Sequence, residues 1–158
     1  MGRGGTAVVA FLLAALALSA CGGDDGDGVS REDYAERVDR VCGDAERELR
    51  QLNLGGAETR AEITALIDDV IVKSRAAVDR VKALERPEGD AGETADRFVG
   101  ALDRELEQEA LPALEDLKNA IRSGDREAAA DAAERLNALE NTESDRFARE
   151  LGADGCAA

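Results

Sequence analysis

The 158-residue chain has no histidine and no tryptophan, and only three cysteines, two prolines, one tyrosine and three phenylalanines. Without histidine, Ser-His-Asp and Cys-His catalysis are excluded, as are zinc and di-iron centres built on imidazole. Positive charge is also scarce. Twenty Lys and Arg stand against 35 Asp and Glu, a formal net charge of −15. That balance argues against nucleic acid, whose phosphates need basic partners, and against charge-driven docking on anionic lipid. The longest apolar run, Ala7 to Leu18, has 12 residues, too short for a bilayer span of about 20. Sustained β-branched runs, Asn-Gly turns and period-two alternation are missing, so no strands are expected.

Residues 1–20 read as an address. A short n-region carries the single charge Arg3, and the Ala7–Leu18 run fits the h-region of a secretory signal peptide. Acidic residues begin only at Asp24. Met1-Gly2 with Thr6 matches an N-myristoylation pattern, but the apolar run follows at once and the match reads as accidental.

At the junction, Leu18-Ser19-Ala20-Cys21 resembles the lipobox of bacterial lipoproteins. The resemblance implies diacylglyceryl on the Cys21 thiol and cleavage just before it, for which Ser19 and Ala20 supply the small side chains. A plain secretory cut after Ser19 is the alternative, since Ala17 and Ser19 are both small. Cleavage before Cys21 leaves 138 residues with a formal charge of −16, because Arg3 departs. Two acyl chains anchor stably where one is marginal. The Gly/Asp stretch of residues 21–29 is then a flexible acidic tether. Its Asp25-Gly26-Asp27-Gly28 starts like a calcium loop but lacks the continuing spacing and the Glu at position twelve.

With Cys21 lipidated, Cys42 and Cys156 remain. Export places both where disulfides persist, and a bridge between them is expected; two buried free thiols are the alternative. Gly43 and Gly155 beside these cysteines are expected to permit close approach of the C-terminal tail to the first helix.

Residues 30–156 read as four helices. Ser30 caps the first, whose apolar stripe is Tyr34, Val38, Val41, Ala45, Leu49 and Leu52, ending at Gly55-Gly56. Thr59 to Glu62 forms a capping box for the second, which Pro87 stops. The third runs from near Gly92 to Arg122, and Pro112 should kink or break it near Gln108. Asp125 caps the fourth, which ends at Gly152 with a weak point at Asn141-Thr142. Short connections favour an antiparallel up-down-up-down bundle. In that topology Cys42 lies about 18 Å along its helix from Ser30, so residues 152–156 must fold back for the bridge to close.

The charges need no ligand. Acid-before-base pairs at i,i+4, among them Glu46–Arg50, Asp69–Lys73, Glu93–Arg97, Asp131–Arg135 and Asp145–Arg149, suit solvated helix faces. Glu105, Glu107 and Glu109 are the candidate acids for acid–base work, with Glu105 and Glu109 on one face; Asp68 and Asp69 diverge by about 100°. None lies in an apolar pattern that would raise a carboxyl pKa. Ser74 reads as a small core residue and Lys73 as the partner of Asp69. Tyr34, Phe98 and Phe147 fall on apolar stripes and read as core.

Residues 30–156 as a whole resemble small helical lipoproteins of GC-rich bacteria. The resemblance rests on Tyr34, Val38, Val41, Cys42, Ala45 and Leu49, then Pro87, then Leu151-Gly152 and Cys156. The 17 arginines against three lysines agree with it. It implies the helical fold and the bridge, and no particular activity. The expectation is therefore a non-enzymatic module held by Cys21 on the extracytoplasmic face of the membrane. No cofactor and no metal are expected, and an envelope or transport protein is the expected partner. A small-solute or cation binder, or a structural spacer, is the alternative. An interaction module should expose an apolar patch; a solute binder should enclose a pocket.

Overall fold

The structure, a computed structural model, describes residues 28–52, 56–139 and 142–157. Every regular element among them is helical. In order they are α1 (Arg31–Arg50), α2 (Arg60–Lys82), α3 (Gly89–Arg104), a π-helical turn (Glu105–Ala110), α4 (Leu111–Ser123), α5 (Arg126–Asn137), α6 (Glu143–Leu151) and a 3₁₀ turn (Asp154–Cys156).

The starts follow local chemistry. The Ser30 hydroxyl accepts from the Asp33 N–H at 3.0 Å. Thr59 and Glu62 close a reciprocal box: Glu62 N–H donates to Thr59 Oγ1 at 3.2 Å, and Thr59 N–H to Glu62 Oε2 at 2.9 Å. Asp125 accepts from the Ala128 N–H at 3.1 Å. Three boundaries move from expectation. α1 stops at Arg50 and α2 at Lys82, while α3 begins at Gly89, three residues early. Gly55 lies outside the described residues.

The third stretch stays continuous through its proline. Pro112 has no N–H for the Gln108 carbonyl, and the turn before it widens, so that the Leu111 N–H donates to the Leu106 carbonyl. The widening changes which residues line up. Leu106 and Leu111, five apart, both reach one cluster, and the wider turn brings them closer to one face than the separation of about 140° in an α-helix would. The fourth stretch is not one helix. α5 ends at Asn137 and α6 starts at Glu143, where the Thr142 N–H donates to Asp145 Oδ2 at 2.8 Å. Thr142 begins a new helix because it and Asp145 repeat the capping chemistry of the other starts.

α1 packs on α2, α2 on α3 and α4, α5 on α4, and α6 on α3 and α1. Buried apolar residues form two clusters. One gathers Tyr34, Val38, Val81, Phe98, Phe147 and Leu151 from α1, α2, α3 and α6. The other gathers Ile67, Ile71, Val78, Leu106 and Leu111. Leu102 packs against both.

Candidate functional site

The entering chain and the returning tail pack on one apolar cluster, the pole built by α1, α3 and α6. Val29, ahead of α1, and Ala157, after the 3₁₀ turn, pack on the same cluster. α6 closes on Gly152, whose φ of 86° is left-handed and suits glycine. The Ala153 N–H then returns to the Ala148 carbonyl at 2.9 Å, and Ala153 is fully buried. Arg31 of α1 donates to the last carbonyls of α6, Leu151 at 3.1 Å and Glu150, satisfying acceptors that the helix leaves open. The Gly155 N–H reaches Asp39 Oδ1 at 2.9 Å. These contacts fold the tail back onto α1 and bring Cys156 to Cys42 as a disulfide, with Cα atoms 5.4 Å apart and 114 positions between them in sequence.

The two glycines beside the bridge differ. A Cβ on Gly155 would stand 3.0 Å from Asp39 Oδ1, so a larger residue there would push the Asp39 carboxylate aside. A Cβ on Gly43 would meet only Arg47 Nη1, at 3.6 Å. The expectation that Gly43 admits the tail is corrected: the tail arrives over Asp39, one turn earlier.

Tyr34 is fully buried at this pole, and its hydroxyl has no hydrogen-bond partner. Burial raises its pKa above 10.0, with Arg86 opposing and Asp96 adding to the rise. Arg86 Nη1 donates to the Lys82 and Leu84 carbonyls at 3.0 and 2.8 Å, closing the end of α2. Its Nε lies 2.8 Å from Asp96 Oδ1, an ion-pair distance without hydrogen-bond alignment. Arg86 did not emerge from the sequence reading. Its signal was a basic residue just ahead of a proline at a helix end.

The acids weighed for catalysis are not brought together. Glu105 caps α6, accepting from the Ser144 N–H at 2.9 Å and from the Ser144 hydroxyl. Glu107 pairs with Arg75 of α2 at 3.4 Å. Glu109 is exposed. Asp68 takes the Lys118 ammonium at 2.7 Å, whereas Asp69 lines a separate shallow groove with Glu62 and Leu66. Ser74 is half-buried. Lys118 is the residue the sequence hid. Its side chain is 9% exposed and its charge is held by Asp68 and by Glu115 at 2.6 Å, which raises its pKa above 10.5.

Of the expected i,i+4 pairs, Glu46–Arg50 and Glu93–Arg97 are seen. Others give way to pairs between helices. Arg135 joins Asp116 of α4 at 2.8 Å rather than Asp131, and Lys73 makes no ion pair with Asp69 among the described residues. Arg80–Glu48, Lys82–Asp103 and Arg104–Glu143 also cross from helix to helix. Tyr34, Phe98 and Phe147 all lie in one cluster, as expected of core residues.

The grooves on this surface are open. One between α1 and α6 carries Glu32, Glu36 and Asp39 beside Arg31 and Leu151. Another between α4 and α5 carries Asp116, Asp125 and Asp131 with Asn119, Ser123 and Arg135. Among the described residues no three potential metal ligands converge, no helix is long and apolar enough to cross a membrane, and Val72 is the exposed large apolar side chain. Cys21 and Asp25–Asp27 lie outside the described residues. No family model, curated protein or solved structure matches this chain.

Proposed function

We propose that the chain is a lipid-anchored, extracytoplasmic binding module without chemistry of its own. Diacylglyceryl on Cys21 holds it to the membrane, residues 21–29 are the tether, and the helices from residue 30 form four antiparallel rods, the fourth interrupted. The carrying observation is the placement of the two chain ends. Gly28 lies against Glu88 at the start of α1, and the tail runs back from the end of α6 along α1 to its disulfide about three turns on, so both chain ends pack on one cluster. A pull on an N-terminal anchor would fall on the most cross-linked part of the protein. The rest of the surface, with the acidic α4–α5 groove, is left to a partner, an envelope or transport protein.

A second reading, a solute or cation binder, draws support from the α4–α5 groove with its three aspartates. Cross-linking in the native cell, with recovery through a C-terminal tag, separates the two. The binding-module reading expects a reproducible protein partner with the full chain and its loss in Cys21→Ala. Recovery of the lipidated protein alone would overturn that reading in favour of the solute binder.

A further inference from the structure

The π-helical turn and the start of α6 lie side by side. Glu105, the first residue of the turn, holds the Ser144 N–H at 2.9 Å, and Arg104 holds Glu143 at 2.7 Å. The two apolar clusters divide at this level. On one side α1, α3, α6 and the last turn of α2 share a cluster with the disulfide. On the other, Leu111 and the half-buried Leu114, Leu117 and Ile121 of α4 pack with Ile67 and Ile71 of α2. α5 packs on α4, and Arg135–Asp116 ties that pair internally. The disulfide therefore staples one unit and not the other.

We propose that residues 111–137, the α4–α5 hairpin, form a hinged flap that opens from α2 as a unit while the disulfide-closed pole stays folded. The π-turn is the hinge. Its Glu105 end is fixed to α6, and its far end meets Pro112, where the backbone lacks a donor. Among the described residues one polar contact fastens the flap to α2, the ion pair of Lys118 with Asp68; the Arg60 guanidinium lies over Gly124 without a hydrogen bond to it. Opening uncovers Ile67 and Ile71, an apolar face that the closed form does not present. Separate cooperative units of this kind exchange their amides independently. The inference rests on the division of the core and does not depend on the proposed function.

The test is hydrogen exchange on the oxidised full chain. In the unaltered protein the amides of 111–137 should share one opening equilibrium, more populated than that of 31–42 and 94–101. Ile67→Ala, which removes side chain beneath the flap, should speed exchange in 111–137 by about 30-fold or more and change the pole by less than about twofold. Should Ile67→Ala fail to fold, Ile67→Val carries the same test with an effect of about 2- to 12-fold. Equal protection of both units in the unaltered protein, or an equal rise in both on substitution, would show a single cooperative unit and overturn the proposal.

Discussion

Gly92 admits no larger side chain: a Cβ there would stand 2.3 Å from the Pro87 carbonyl oxygen. The contact is with backbone, so nothing flexible can yield. Gly92→Ala should lower stability by about 1–3 kcal/mol, read from the urea midpoint. Gly43→Ala should do the reverse and add up to about 1 kcal/mol, because a helical glycine with open space gains from a Cβ. A loss at Gly43 would show a constraint beyond the contacts described. These glycines look alike in sequence, each inside an amphipathic pattern. What separates them is the nearest neighbour, the Pro87 backbone in one case and the flexible end of Arg47 in the other. Tyr34 was legible as core from its place on the stripe, but its unpartnered hydroxyl was not, since hydrogen-bond partners depend on how α1 faces Arg86 and Asp96.

Helix starts were readable because capping chemistry is local; Ser30, Thr59 and Asp125 act within three residues of themselves. The π-turn was written less plainly. The apolar stripe keeps its three-and-four spacing through Leu106, Ala110, Leu114, Leu117 and Ile121, so only Pro112 pointed to an irregular turn. Ion pairs were the least legible, because pairing across helices depends on helix rotation. Lys118 is the clearest case, lying among Leu114, Leu117 and Ile121 and reaching across to Asp68 of α2. Its partners hold its pKa above 10.5, so its contribution is present below pH 10.5 and is lost as pH rises through the folded value. The Tyr34 phenol acts in the same direction, since the unfolded chain ionises first above pH 10.0. The urea midpoint should hold steady from pH 8 to 10 and fall from 10 to 12. Lys118→Met should make that fall shallower. A fall of unchanged steepness in the variant would deny Lys118 its part.

For the whole molecule, the bridge matters most at the shared pole. Closing 114 positions stabilises by about 5 kcal/mol in chain-entropy arithmetic. Reduction of residues 22–158 should raise the intact mass by two hydrogens and lower the thermal midpoint, with tail residues 152–157 losing protection first. An unchanged mass would mean that Cys42 and Cys156 are free thiols. All-helical architecture was legible in the sequence because period and caps repeat in every segment. The proposed function rests on the address, Leu18 to Cys21, since the surface charges form no pattern tied to one chemistry. Intact mass of the full chain extracted from the membrane fraction of its native cell is therefore the most direct measurement. A mature chain beginning at Cys21 and carrying acyl groups, with Cys21→Ala left as unprocessed precursor, is the predicted result. A chain cut after Ser19 without lipid, or normal processing of Cys21→Ala, would contradict it.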